Sequence, residues 1–392
     1  MNLPNTEVPK TMLKIRRLRT IPATALLLFV FFCALGFGEE IPRELSDEAF
    51  WKLVTDFSEP GGYFRSDNFV SNETMFQNVI PELKKTTKHE GVYMGVGPDQ
   101  NFTYIVALQP KIAFIVDIRR QNMLHHLMYK ALIELSEDRA EFLSRLFSRK
   151  RPGNVGAGSS AAELFAAFEN QEPEREMFYS NLQALKKQLV ERHGFKLSSD
   201  DEQSIEYVFR AFYAGGPDLT YNGPNLGGFA GGRGRMPSYS ELMLETDGQD
   251  LNRSYMSTEE NFRILQDLEK KNLVVPLVGD FAGSKAIRAV AQYLKEHEAS
   301  VTAFYLSNVE QYLFQQNDDW SKFYSNVGTL PLDSSAMFIR SVFNNMAVQY
   351  QGFGSLRSAS LLSSIPTLLK AFEAGEIRSG NAGYYDVIQM SK

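Results

Sequence analysis

Only one cysteine, Cys33, occurs in the chain, so no intrachain disulfide can form and no cysteine-rich zinc or iron–sulfur site can be built. Positive charge is also short: 41 Lys and Arg face 47 Asp and Glu, a formal charge of −6 that gives no general electrostatics for nucleic acid. At 43% apolar and 22% charged residues, the composition excludes collagen, wholesale disorder and a polytopic membrane protein. No internal repeat is visible. The 392 residues are enough for two to three domains, or for one large domain with insertions.

The basic residues that do occur are unevenly placed. Residues 1–38 hold Lys10, Lys14, Arg16, Arg17 and Arg19 against Glu7 alone; setting these five bases and one acid apart leaves 36 bases and 46 acids, or −10. The apolar run Ile21 to Gly38 follows, and Ala34 and Gly36 suit a small-residue cleavage site. This is the layout of a secretory signal, with an uncleaved membrane anchor as the alternative, because 18 residues lie at the short end of what spans a bilayer. A buried helix is the third reading. In either export case the positive-inside rule places Lys14 to Arg19 in the cytoplasm and the body across the membrane. The body is cytoplasmic if the segment is not a functional signal.

Periodicity organises the rest. Residues 39–90 read as helical, with Ser46 as an N-cap before Asp47 and Glu48, and a second helical pattern from Glu73 to Lys85. Residues 91–148 alternate: a strand at Gly91 to Met94, a helix at Gln100 to Leu108, a continuously apolar strand at Ile112 to Val116, then one long helix from Gln121 to Phe147. Residues 149–272 form a helical insertion containing a glycine-rich run, Gly215 to Pro237, that no regular element survives. Alternation returns in residues 273–392, with strands at Leu273 to Val278, Val301 to Leu306, Ala336 to Val342 and Tyr384 to Gln389, and helices at Ser284 to His297, Val309 to Phe314 and Ser360 to Ala374. The fold expected is α/β, a doubly wound, mostly parallel, Rossmann-like sheet interrupted by the helical insertion.

Ligands of such sheets sit beyond the carboxyl ends of the strands. The residues there are Gly95, Gly97, Asp117, Asp280, Ser307 and Asn308. Glycines after the first strand let backbone amides approach a cofactor, and Asp117 lies about 20 residues beyond Gly97, the spacing of an acid that receives ribose hydroxyls.

With this strand-end pattern, residues 91–147 and 273–314 resemble the core of class I S-adenosylmethionine-dependent methyltransferases, and the stretches FSEPGGYFRSDNFVSNE (57–73) and VGPDQNFTYIVALQPKIAFIVDIRRQN (96–122) look closest to an uncharacterised bacterial group with that core. The resemblance implies a methyltransferase-type fold, with S-adenosylmethionine as cofactor and an unidentified methyl acceptor. By it, Gly95 and Gly97 face the methionine part, Asp117 the ribose and Asp280 the adenine amine, while Asn308 lies at the transfer site. Two positions depart from the family pattern: Tyr93 replaces an acid, and Asp99 stands at the third glycine position, after Pro98.

Other readings stay open at each position. Asp117 pairs with Arg119 or Arg120, or those arginines hold a 2′-phosphate. Asp280 and Asn308 cap the helices that follow them. Glu59, Asp67, Asn68 and Glu73 line the pocket mouth, with Glu73 as a candidate catalytic base, or form a solvated loop. His125 and His126 are adjacent on one helix and cannot converge on a metal, so no metal site is expected. The glycine-rich run is a lid or a mobile loop. The sequence thus supports a methyltransferase-like protein and, as the alternative, an exported or tethered non-catalytic protein that keeps the fold. Its expected partners are a small-molecule cofactor and, if the amino-terminal segment is uncleaved, a membrane, but not nucleic acid.

Overall fold

The computed structural model of the protein describes Met1 and residues 40–223, 236–343 and 358–392. The signal or anchor expected in residues 1–38 therefore falls outside the described residues, as does most of the glycine-rich run. No helix among the described residues is long and apolar enough to cross a membrane.

Six strands form one sheet in the order β3-β2-β1-β4-β5-β6. They are β1 (Val92–Gly95), β2 (Ile112–Asp117), β3 (Val274–Val278), β4 (Val301–Ser307), β5 (Leu332–Phe343) and β6 (Ser358–Ser364). All pairings are parallel except that of β5 with β6. Every residue of β1, β2 and β3 is buried, which explains their unbroken apolar sequences: helices cover both faces and no alternation is needed. The fold is α/β, with a mostly parallel sheet compatible with a Rossmann-like architecture.

The helices are α1 (Asp47–Phe57), α2 (Ile80–Thr86), α3 (Gln100–Leu108), α4 (Arg120–Glu134) and α5 (Arg139–Phe147). The insertion adds α6 (Ala161–Glu169), α7 (Arg175–Lys187), α8 (Ser199–Gly215) and α9 (Tyr239–Leu244) before the crossover helix α10 (Glu259–Lys270). After β3 come α11 (Ala286–Glu296), α12 (Val309–Leu313), α13 (Asp319–Val327), α14 (Ile365–Glu373) and α15 (Gly380–Gln389). The insertion helices α7 and α8 pack on α4 and α5, so they thicken one helical layer.

Several expected elements change form. The single helix over 121–147 is two, because Asp138 accepts the Glu141 N–H and restarts the chain as a new N-cap. The helical pattern from Glu73 begins only at Phe76, with a short 3₁₀ turn, because Met75 adopts a left-handed φ of 63°. The helix expected from Ser360 starts at Ile365: Ser364 caps it and Pro366 occupies its first turn, while Leu361 and Leu362 pair in β6. The strand expected at Tyr384 to Gln389 is helix α15, in which Tyr384, Val387 and Ile388 recur at helical spacing and are all buried.

The topology places the site. From β1 the chain winds through β2 to β3 on one side, then returns to pair β4 with the other side of β1. The direction reverses between β1 and β4, which is where a doubly wound sheet opens a crevice at its carboxyl ends. Register aligns the rim, since Gly95 pairs with Ile115 and Asp117 with Val278.

Candidate functional site

Beyond the strand ends lies a cavity of about 250 Å³, a little below the roughly 300–1,000 Å³ usual for small-molecule sites. Glu73, Gly97, Asp117, Asp280, Ser307 and Asn308 all line it. Gly95 does not.

The two glycines are required for different reasons. Gly97 has φ +78°, and a Cβ there would meet nothing within 4 Å, so this turn presents bare backbone to open space. At Gly95 a Cβ would lie 1.9 Å from Asn101 Oδ1. Asn101 explains that crowding: its Nδ2 donates to the carbonyls of Val96 (2.9 Å), Gly97 (3.2 Å) and Pro98 (2.7 Å), and its Oδ1 accepts the Tyr93 hydroxyl at 2.9 Å. Tyr93 therefore fixes the turn through Asn101. Asp99 turns away from the cavity into the core, where it accepts from the Tyr255 hydroxyl at 3.1 Å and burial pushes it up to about 7. His126 is also buried behind the turn and donates from Nε2 to the Gly97 carbonyl at 2.8 Å. Burial lowers His126 to about 4, so a neutral ring carrying its proton on Nε2 makes this bond.

Asp117 ends β2 and accepts from the Arg119 backbone N–H at 2.8 Å and from Arg119 Nε at 3.3 Å. Arg119 in turn donates to the carbonyls of Ser66 (2.9 Å) and Asp67 (2.6 Å), which clamps the 63–68 loop over the strand end. Arg120 points elsewhere, with Nε and Nη2 on the two carboxylate oxygens of Asp201 at 2.6 and 2.9 Å. Both guanidinium groups are committed to acids, which leaves the 2′-phosphate reading without a free cation at these two positions.

Asp280 follows β3 and accepts the Ala282 N–H on Oδ1 at 2.9 Å, a local turn rather than a helix cap. The start of α11 is held by Glu59, whose Oε1 accepts from Lys285 N (2.6 Å) and Ala286 N (3.0 Å) and whose Oε2 accepts from Asp280 N at 3.0 Å. Glu59 is thus a distant cap that also orients the Asp280 turn. Asn308 precedes α12 without capping it; its Nδ2 donates to Gln311 Oε1 at 3.3 Å.

Glu73 is the most deeply held acid of the cavity, at 1% exposure. Its Oε2 accepts from Gln100 Nε2 and the Tyr305 hydroxyl, each at 2.9 Å, and from the Ser341 hydroxyl, while Ser307 donates to Oε1. Ser307 has φ +50°, a left-handed conformation uncommon for a non-glycine residue. Aromatic rings complete the wall: Phe64 meets Tyr312 edge-on at 5.4 Å, and Tyr221 and Tyr305 line the same space.

Sequence reasoning placed Ser307 at the strand ends but missed Asn101, the aromatic wall and the other donors around Glu73. The wall had a weak signal, since Tyr312 falls four residues after Asn308 and so projects from the same side of the chain as α12 begins. The partners Gln100, Tyr305 and Ser341 had none, because they come from α3, β4 and β5.

No curated protein matches the chain. A family model described as a domain of unknown function (DUF7790) matches residues 68–203 and 154–364. Those ranges hold every cavity-lining residue except Tyr63 and Phe64, and the chain belongs to that family.

Proposed function

We propose that the protein binds S-adenosylmethionine along the carboxyl ends of β1, β2 and β3 and is a methyltransferase of the class I type. One observation carries this reading: Gly97, Asp117 and Asp280, far apart in sequence, border one cavity at the reversal point of the sheet. The residues fit the group. The Gly97 turn gives backbone access, Asp117 keeps acceptor positions beyond those taken by Arg119 for ribose hydroxyls, and Asp280 Oδ2 is open to an exocyclic amine. S-adenosylmethionine brings an electrophilic methyl carbon on a sulfonium. The chain's own residues bind, orient and exclude water: Asn101 and His126 fix the Gly97 turn, Arg119 ties the covering loop to β2, and Asn308 and Glu73 face the far end.

Calorimetric titration with S-adenosylmethionine and S-adenosylhomocysteine tests the reading. Saturable binding that Gly97→Leu abolishes is the expected result, and absence of heat with both ligands rejects it. A second reading, an exported or membrane-tethered non-catalytic protein with this fold, is favoured by the commitment of Asp117 to Arg119. Cell fractionation with N-terminal sequencing tests it; a body found in the cytosol counts against it.

A further inference from the structure

Resting on that cofactor reading, we infer that the second ligand of the cavity carries an amine or another cationic nitrogen group, and that Glu73 binds it. The cavity has two ends. Asp280 follows β3 and Ser307 ends β4, three places along the sheet, which at about 4.8 Å per strand separates them by roughly 14 Å. Asp117 and Asp280 belong to the β2–β3 end, whereas Glu73 is bonded to Tyr305 and Ser307 of β4 and Ser341 of β5.

No described residue supplies a counter-charge at the Glu73 end. Glu73 is 1% exposed and makes no ion pair among the described residues. Several buried acids have a cation beside them: Glu310 has Arg340 at 2.6 Å, Glu134 has Lys130 at 2.7 Å, and Asp117 has Arg119 at 3.3 Å, whereas Asp99 and Glu269, unpaired among the described residues like Glu73, lie in the core and do not line the cavity. A buried carboxylate without a counter-charge is costly, and one that lines a cavity is relieved when a cation enters. Among the described lining residues Arg119 is the only Lys or Arg, and it lies at the other end, committed to Asp117. A carboxylate or phosphate ligand would therefore meet like charge at Glu73 with no described cation to receive it.

Geometry gives the incoming group a place. Among the described residues, three donors occupy Glu73 Oε2 and fix the carboxylate from α3, β4 and β5, while Oε1 has one donor, Ser307. Oε1 is thus the less crowded of the two oxygens, with acceptor capacity left for an incoming N–H. Tyr221, Tyr305 and Tyr312 also line the cavity, and aromatic rings attract ammonium groups.

The test uses the purified full chain saturated with S-adenosylhomocysteine, titrated at pH 7 with phenethylamine and separately with 3-phenylpropionate, followed by ligand-observed NMR. The two probes share a ring and a short chain and differ in the charge of the head group. The expected result is binding of the amine at least about tenfold tighter than the carboxylate, with the preference lost in Glu73→Gln. The comparison on the unaltered chain stands alone if that variant does not fold. Equal or tighter binding of the carboxylate, or no binding of either probe up to about 10 mM, overturns the inference. If S-adenosylhomocysteine binds and the amine does not, this inference fails and the cofactor reading stands. If the amine binds and S-adenosylhomocysteine does not, the cofactor reading fails and the cation site remains.

Discussion

Adding one methyl group at Gly95 should cost far more than adding one at Gly97, although the two glycines are separated only by Val96. At Gly95 the new Cβ would sit 1.9 Å from Asn101 Oδ1 and 3.0 Å from Tyr93 Cε1. Asn101 cannot swing away freely, because its Nδ2 holds three carbonyls of the turn and its Oδ1 holds the Tyr93 hydroxyl. Overpacking costs about 1–3 kcal/mol and each hydrogen bond lost about 1 kcal/mol, so Gly95→Ala should destabilise by about 3–5 kcal/mol. At Gly97 nothing lies within 4 Å, and only the left-handed φ of 78° is penalised, at about 1–2 kcal/mol. Urea unfolding followed by the fluorescence of Trp51 and Trp320 reads both changes as midpoint shifts. A Gly97→Ala variant as unstable as Gly95→Ala, or a neutral Gly95→Ala, would refute the division of labour between a crowded glycine and an exposed one.

Four more expectations follow from the packing. Burial pushes Glu269 up to about 8, and the folded chain thus keeps a proton that the unfolded chain releases near 4.5; stability should fall as pH rises across that window, and Glu269→Gln should flatten the fall in melting temperature between pH 5 and 9. His193 acts in the same direction: burial pulls it down, but the hydrogen bond and charge of Glu134 win and hold it above 6.5, so its stabilisation is complete below 6.5 and is lost as pH passes the raised value, a loss that His193→Gln should remove from the melting profile. Arg340→Met leaves Glu310 buried without its partner and should cost about 3–5 kcal/mol in chemical denaturation, whereas joint replacement of Arg340 and Glu310 by apolar residues should recover much of that. Glu59→Ala removes the acceptor for the first N–H groups of α11 and should cost about 0.5–2 kcal/mol while weakening any ligand held by Asp280; a variant with unchanged stability refutes the capping role.

The strands and most helices were legible because their signals are local. Val92 to Gly95, Ile112 to Asp117 and Val274 to Val278 are short apolar runs punctuated by glycine or aspartate, as fully buried parallel strands must be. Errors fell where local signals conflict. Leu361 and Leu362 suit a helix or a strand equally, and pairing with β5 decided for the strand. Tyr384 and Tyr385 look strand-like by propensity, yet burial of Tyr384, Val387 and Ile388 needs a helical period.

The sequence by itself determined that this is an α/β chain with candidate ligand residues at its strand ends, since hydrophobic period and glycine punctuation depend only on neighbours along the chain. Tertiary structure alone decided which of those residues share a cavity. It placed Gly97, Asp117, Asp280 and Asn308 around one space, turned Gly95 against Asn101, made Glu59 a cap for a helix more than two hundred residues away, and buried Glu73 with no counter-charge among the described residues. Those outcomes depend on strand order and register, which join residues distant in sequence through packing that no local pattern encodes.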